Sequence, residues 1–437
     1  MSEHDLVIRS TRVVTPGGVT PATVVVDRGR ITAVEPHESE ARGVREVDLG
    51  TTALLPGLVD THVHVNEPGR THWEGFASAT RAAAAGGVTT IVDMPLNSLP
   101  PTVDADALRT KQKAATGQCW VDVGFWGGAI PGNLADLAAL HEQGVYGFKC
   151  FLSPSGVEEF PHLDLDEVRQ VMTRLAALDA LLVVHAEDPQ LLTEPEGPSY
   201  GQFLDSRPGR SERRAVEQVI ELARQTGART HILHVSSAEC LEPLEAAQRS
   251  GVRITAETCP HYLTLEAEQV PEGQTAFKCC PPIRDSANRD RLWEGLARGV
   301  LSCVVSDHSP STADLKVPDF ARAWGGIASL QLGLTAIWTE ASRRGHTLRD
   351  VVRWMAEAPA ALGEISGKGA IKPGNDADLV AFDPEADHLV DAGALHHKNP
   401  VTPYHGRRLK GVVETTWLRG GEIGSEPNGT FLKKVST

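Results

Sequence analysis

The spacing of apolar and polar residues changes character twice along the chain. Residues 1–54 carry short runs, DLVIRSTRVV, ATVVVDRGRITAVE and REVDLG, punctuated by PGG and DRGR. Turn residues between β-branched runs predict strands. The far end repeats this texture in DADLVAFDP and GVVETTWLRGGEI. The middle instead alternates apolar strand runs with helical periodicity. Its strand candidates are LLPGLVDTHVHV, TTIVDMP, VDVGFWGGA, VYGFKCFL, LLVVHAED, THILHVSS, RITAETCPHYL and LSCVVSDHSP. Between them lie amphipathic stretches such as EGFASATRAAAAGG, LDEVRQVMTRLAAL, ERRAVEQVIELARQTG and RDRLWEGLARG. Eight β-then-α units in about 300 residues predict a (β/α)8 TIM-type barrel rather than a doubly wound sheet. The expected organisation is an α/β barrel over 55–365. A small β-sandwich domain is expected from both chain ends, 1–54 and 366–437, the latter including a polar tail.

Composition narrows the partners. A net charge of −15 argues against nucleic acid and against an anionic membrane surface, both of which need clustered lysine and arginine. The seven cysteines are scattered and form no CxxC pair, which reads as reduced thiols in a cytoplasmic protein. The opening MSEHDLVIRS has no apolar core of a signal peptide. No run approaches the ~18 apolar residues of a membrane span. A small molecule is the expected partner.

In such a barrel the chemistry sits at the C-terminal ends of the strands. The first strand ends DTHVHV. His62 and His64 are two positions apart, so on a strand they share a face. That geometry suits two imidazoles closing on one metal, although a polar strand end would look the same. Lys149 follows on strand 4, His185 on strand 5, His234 on strand 6 and Asp307 on strand 8. Four of the seventeen histidines thus fall at strand ends beside an acid and a lysine. His231 and His234 have opposite parity, so only one should face the mouth, and His234 lies nearer the end. His261 and His308 are also near the mouth and could support the site or touch substrate. Lys149 has two readings. It could reach to solvent, or, desolvated among imidazoles, lose its proton. The neutral amine could then add carbon dioxide, giving a two-oxygen carbamate able to bridge two metals.

At these residues the chain resembles the cyclic amidohydrolases of the amidohydrolase superfamily: dihydroorotases, hydantoinases and allantoinases. GLVDTHVHVNEPG, GFKCFLSPSG, VVHAED, HVSS, CPHYL, PPIRD, SDHSP and GAIKPGNDADLVAFD occur in family order over nearly the whole chain. The resemblance implies two divalent metal ions per subunit. His62, His64 and Asp307 would hold the more buried ion, His185 and His234 the more exposed one, and N6-carboxylated Lys149 would bridge them beside a hydroxide. Asp307 would carry the water's proton to the departing ring nitrogen. Zinc is the expected metal, with iron, cobalt and manganese chemically suited. The resemblance also implies a homotetramer.

Within that branch, dihydroorotases read HxHxREPG, where arginine pairs with the substrate carboxylate. Here the segment is Asn66-Glu67-Pro68-Gly69, and asparagine cannot supply that charge-assisted fork. Hydantoinases carry a tyrosine shortly after the bridging lysine, and FKCFLSPSG has none. NEPGRTHWEGF, MPLNSLPPT, KCCPPIRD, AWGGIASLQ and HKNPVTPYHGR are instead similar to allantoinases. The implied reaction is hydrolysis of the hydantoin ring of allantoin to allantoate. Another cyclic amidase, or a scaffold homologue that has lost its ligands, are the alternatives. Asn66, Cys280, Pro281, Gly325 and Gly326 are candidate pocket residues, each equally readable as a turn or packing residue.

Overall fold

The computed structural model describes residues 4–424 and 426–434. The first strands are β1 (His4–Thr15), β2 (Gly18–Asp27), β3 (Arg30–Pro36), β4 (Gly43–Asp48) and β5 (Ala53–Pro56). The central ones are β6 (Leu58–Val63), β7 (Val88–Asp93), β8 (Asp122–Phe125), β9 (Gly127–Gly128) and β10 (Phe148–Phe151). They continue as β11 (Leu181–His185), β12 (Arg229–Ile232), β13 (Ile254–Thr258) and β14 (Cys303–Val304). The last are β15 (Leu379–Leu389), β16 (Arg408–Leu418) and β17 (Gly421–Glu422).

Strands from both chain ends form one eight-stranded sheet, in the order β17-β16-β15-β5-β1-β2-β3 with β4 also on β1. The join is β15 running antiparallel to β5, with Val380 opposite Leu55. Alternation does the folding here. Leu6 and Ile8 on β1, Val24 and Val26 on β2, and Leu379 and Ala381 on β15 point into one apolar cluster with Trp417. Residues two apart on a strand share a face, so these pairs bury together.

The central strands run parallel in two sheets, β6-β7-β8 and β14-β13-β12-β11-β10-β9. The sheets meet at both edges. Tyr146 N, just before β10, donates to Phe125 O of β8 at 3.0 Å, and Val63 bridges His308 in parallel at the other edge. Every residue of β6, β7, β8, β10 and β11 is buried, as parallel strands covered on both faces must be. Helices follow the strands, among them Phe76–Ala85, Leu165–Ala177, Gly209–Thr226 and Ser286–Ala297. Leu165–Ala177 shows why: Asp164 and Glu167 form a capping box, and Val168, Val171, Met172 and Leu175 make the buried stripe. That spacing puts all four apolar side chains on one helical face.

Two expected strands are cut short. LSCVVSDHSP keeps only Cys303–Val304 as strand, because Ser306 N donates to the Asp60 carboxylate at 3.1 and 3.2 Å instead of to a neighbouring strand. VDVGFWGGA splits at Trp126, whose indole donates to Thr61 O at 2.8 Å. Among the described residues no helix is long and apolar enough to cross a membrane.

Candidate metal centre

The six residues expected to act together do converge. His62 lies on β6 with His64 just past its end, Lys149 on β10, and His185 closes β11. His234 and Asp307 lie beyond the last paired residues of β12 and β14. Both adopt left-handed backbone, φ 36 and φ 45, a conformation costing ~1–3 kcal/mol for a residue with a side chain. Leaving the strand this way turns each side chain into the mouth. His62 Nε2 is 3.1 Å and His64 Nε2 3.6 Å from Asp307 Oδ1. Lys149 Nζ is 3.4 Å from His62 Nε2. His185 Nδ1 and His234 Nε2 face each other at 3.0 Å.

All six are buried, and burial opposes the charged form of each. It lowers Lys149 to about 8 and holds His64 and His234 well below the usual imidazole range. For Asp307 burial acts upward, but His62, His234 and His64 overcome it and keep the carboxyl well below its ordinary value. Asp307 is therefore ionised and the amine of Lys149 is easily deprotonated.

The donor set fits a cation. The ligand atoms of His62, His64 and Asp307 lie within 4.8 Å of one another. His185 Nε2 meets Glu187 Oε2 at 2.7 Å, so that nitrogen carries the proton and Nδ1 offers a lone pair toward His234. His234 Nδ1 is buried without a hydrogen-bond partner. Buried polar atoms are seldom left so, and a divalent ion drawing the His234 ring toward it would account for the crowding. Nitrogen and carboxylate donors suit zinc, iron, cobalt or manganese.

A cavity of about 240 Å³ opens over this cluster. That is below the ~300–1,000 Å³ of drug-sized sites and suits a small ring. His64, Lys149, His185, His234 and Asp307 line it, and so do Cys280, Gly325 and Gly326 of the candidate pocket residues. Gly326 has to be glycine: its φ is +127, and a Cβ there would sit 2.1 Å from Ser309 O. Asn66 and Pro281 fall outside the lining. Asn66 is buried at φ 66, its amide reaching Pro310 O at 3.4 Å. Asparagine tolerates that left-handed turn better than most residues.

Against known proteins, the amidohydrolase family matches residues 53–423. An allantoinase of Streptomyces avermitilis is 57% identical, covering 99% of this chain and 100% of its own. The allantoinase of Saccharomyces cerevisiae is 43% identical over 97% of this chain and 92% of its own. The chain belongs to the amidohydrolase family. Among solved structures, the L-hydantoinase of Arthrobacter aurescens superposes with a TM-score of 0.94 at 28% identity, over 98% of this chain and all of that one.

This amidohydrolase holds several residues at the site that the sequence reading did not single out. Glu257 Oε1 accepts from His62 Nδ1 at 2.6 Å, and its Oε2 meets His231 Nε2 at 2.9 Å. Glu187 bonds His185 and also pairs with Arg207. Asn97 approaches His64 Nδ1 at 3.4 Å. Lys278 and Trp324 stand in the cavity wall. Only Glu187 had a local signal, two positions after His185 in HAED. His231 is absent from the cavity lining and bonds Glu257 instead.

Proposed function

We propose that this amidohydrolase opens the hydantoin ring of allantoin by hydrolysis of a cyclic amide C–N bond, giving allantoate. The convergence of four histidines, Asp307 and Lys149 under a small cavity carries the chemistry. The choice of substrate rests on the relatives, whose names are allantoinases at 57% and 43% identity over nearly the full chain. The reading includes a closed (β/α)8 barrel over 55–365, supported by the two edge contacts between the parallel sheets. It pairs that barrel with a small β-domain from 1–54 and 366–437, supported by the terminal sheet.

In this reading His62, His64 and Asp307 would hold one divalent cation, His185 and His234 would hold a second, and Lys149, as a carbamate formed with carbon dioxide, would supply a further ligand. Zinc is the metal we favour. Two such cations supply Lewis acidity, polarising a carbonyl and acidifying water. The chain does the rest. The neutral amine of Lys149, favoured by its burial, is the form that can react with carbon dioxide. Asp307 Oδ1, ionised, accepts the proton of the attacking water and passes it to the ring nitrogen as the C–N bond breaks. Glu257 and Glu187 hold the Nδ1 proton of His62 and the Nε2 proton of His185, which fixes the opposite nitrogens toward the site. The resemblance extends the proposal to a homotetramer, and seven free cysteines support a cytoplasmic setting.

The test is turnover of allantoin, hydantoin and dihydroorotate by metal-replete protein, side by side. Allantoin should be hydrolysed far faster than the other two. A preference for either competitor would overturn the substrate assignment.

A further inference from the structure

The two buried glutamates behind the histidines look alike but are balanced differently. Glu257 is 1% exposed. Its Oε1 holds His62 Nδ1 at 2.6 Å and also receives the His234 backbone N–H at 3.4 Å, and its Oε2 holds His231 Nε2 at 2.9 Å. His231 Nδ1 meets the Thr255 hydroxyl at 2.7 Å. A carboxylate oxygen only accepts, so Nε2 donates and Glu257 Oε2 meets an imidazole N–H. Among the described residues no lysine or arginine pairs with Glu257. No guanidinium or ammonium therefore shares the charge that Glu257 presents to His62.

Glu187 is equally buried, yet Arg207 grips it with Nε on Oε1 at 3.0 Å and Nη2 on Oε2 at 2.6 Å. The oxygen shared with Nη2 is the one that meets His185 Nε2 at 2.7 Å. A bidentate guanidinium takes up most of a carboxylate's charge and hydrogen-bonding capacity. His185 therefore leans on a nearly neutral ion pair.

A carboxylate behind a ligating imidazole raises the basicity of the nitrogen facing the metal. We propose that Glu257 and Glu187 are positioning residues that make the two cation positions unequal. The ion on His62 and His64 is bound tightly, and the ion on His185 and His234 is held weakly because Arg207 neutralises the glutamate behind it. This rests on the proposal that the six residues hold two divalent cations, and it goes further by assigning their order of affinity to residues outside the ligand set.

The experiment is stepwise zinc titration of the metal-free full chain in bicarbonate buffer, read by competition with a chromophoric chelator. The wild type should show two unequal dissociation constants. Glu257→Gln keeps an oxygen for His62 but removes the charge. It should weaken the tighter ion about 10–100-fold, the range for such outer partners, and shift the weaker ion far less. Arg207→Met frees the charge of Glu187 and should tighten the weaker ion several-fold, a direction that general loosening of the fold would not produce. Fewer than two ions on the wild type would overturn the ligand assignment itself. Two ions whose constants stay unchanged in Glu257→Gln, or whose weaker constant is unchanged or worsened in Arg207→Met, would overturn the asymmetry alone. Should Glu257→Gln fail to fold, the direction of the Arg207→Met shift decides.

Discussion

Two buried charge clusters in this protein each set a lysine among possible metal ligands, with opposite meanings. One lies at the C-terminal ends of the central strands: His62, His64, Lys149, His185, His234 and Asp307. The other begins at the first residue of β8, where Asp122 gathers with Asp376 and Asp378. Those three carboxylates also lie close enough to hold a metal ion. A cation already sits among them, because Lys368 Nζ is 2.6 Å from Asp122, 3.0 Å from Asp376 and 2.6 Å from Asp378. Arg419 adds two contacts to Asp122 at 2.6 and 2.7 Å, and Thr430 donates its backbone N–H at 2.8 Å. The lysine there has its pKa raised, since its carboxylates outweigh the burial that opposes its charge. Lys149 is lowered to about 8, because burial outweighs the charges of Asp307 and Glu257 that oppose it. Proximity of ligand atoms is thus a poor guide to a metal site. A saturated cluster ties the tail and the terminal sheet to the central strands. A cluster with facing lone pairs and an unpartnered His234 Nδ1 has room for a cation.

Substitutions should separate the two clusters. The largest effect is expected from Lys149→Ala, which should abolish turnover and strip most of the metal while the fold persists. Metal analysis and activity, repeated with added short carboxylic acids as a substitute bridge, check this; full activity with two ions bound would refute the carbamate. Next is Asp307→Asn, which keeps size and one ligand oxygen but cannot accept the proton. Turnover should fall by about 10²–10⁴, the range for a general base, and near-normal rates in a metal-replete variant would move the proton transfer to another group.

At the other cluster the readout changes from rate to stability. Lys368→Met takes the cation from buried Asp378 and should cost about 3–5 kcal/mol in denaturant unfolding, with metal content unchanged. Loss of metal in that variant would mean the clusters are not independent. The smallest effect is expected from Asp376→Asn. Asp376 is the most exposed of the three acids, at 16%, and Lys368 keeps its two shorter partners. Its cost should stay near the ~0–1 kcal/mol of surface pairs, and a cost like that of Lys368→Met would show that all three carboxylates are equivalent.

The convergence of the six candidate ligands was legible because all but Lys149, which lies within β10, sit near or just past the end of a strand that local apolar patterning marks. The eight-unit alternation was legible for the same reason. Glu257 was not. It contacts His62 across 195 positions of sequence, and in RITAETCPHYL nothing distinguishes it from any polar residue on a half-polar strand. Lys368 was equally silent, since GKGAIKPGNDADLV reads as a turn-rich connection until its acids fold around the ammonium. The pocket assignment was mixed: Cys280, Gly325 and Gly326 line the cavity, whereas Asn66 and Pro281 do not. Residue type and motif position do not say which side of a loop faces the opening.

By itself, the sequence determined which elements form and which reactive side chains end them, because period-2 and helical spacing act over a few residues and need no partner. It also determined family membership, because ordered motifs survive over the whole chain. Only the tertiary structure decided how the charges are balanced. Whether a buried carboxylate meets an imidazole, as Glu257 does, or a guanidinium, as Glu187 does, depends on contacts between strands and helices far apart in the chain. Over a few ångströms in a desolvated interior, that pairing sets the strength of the electrostatics.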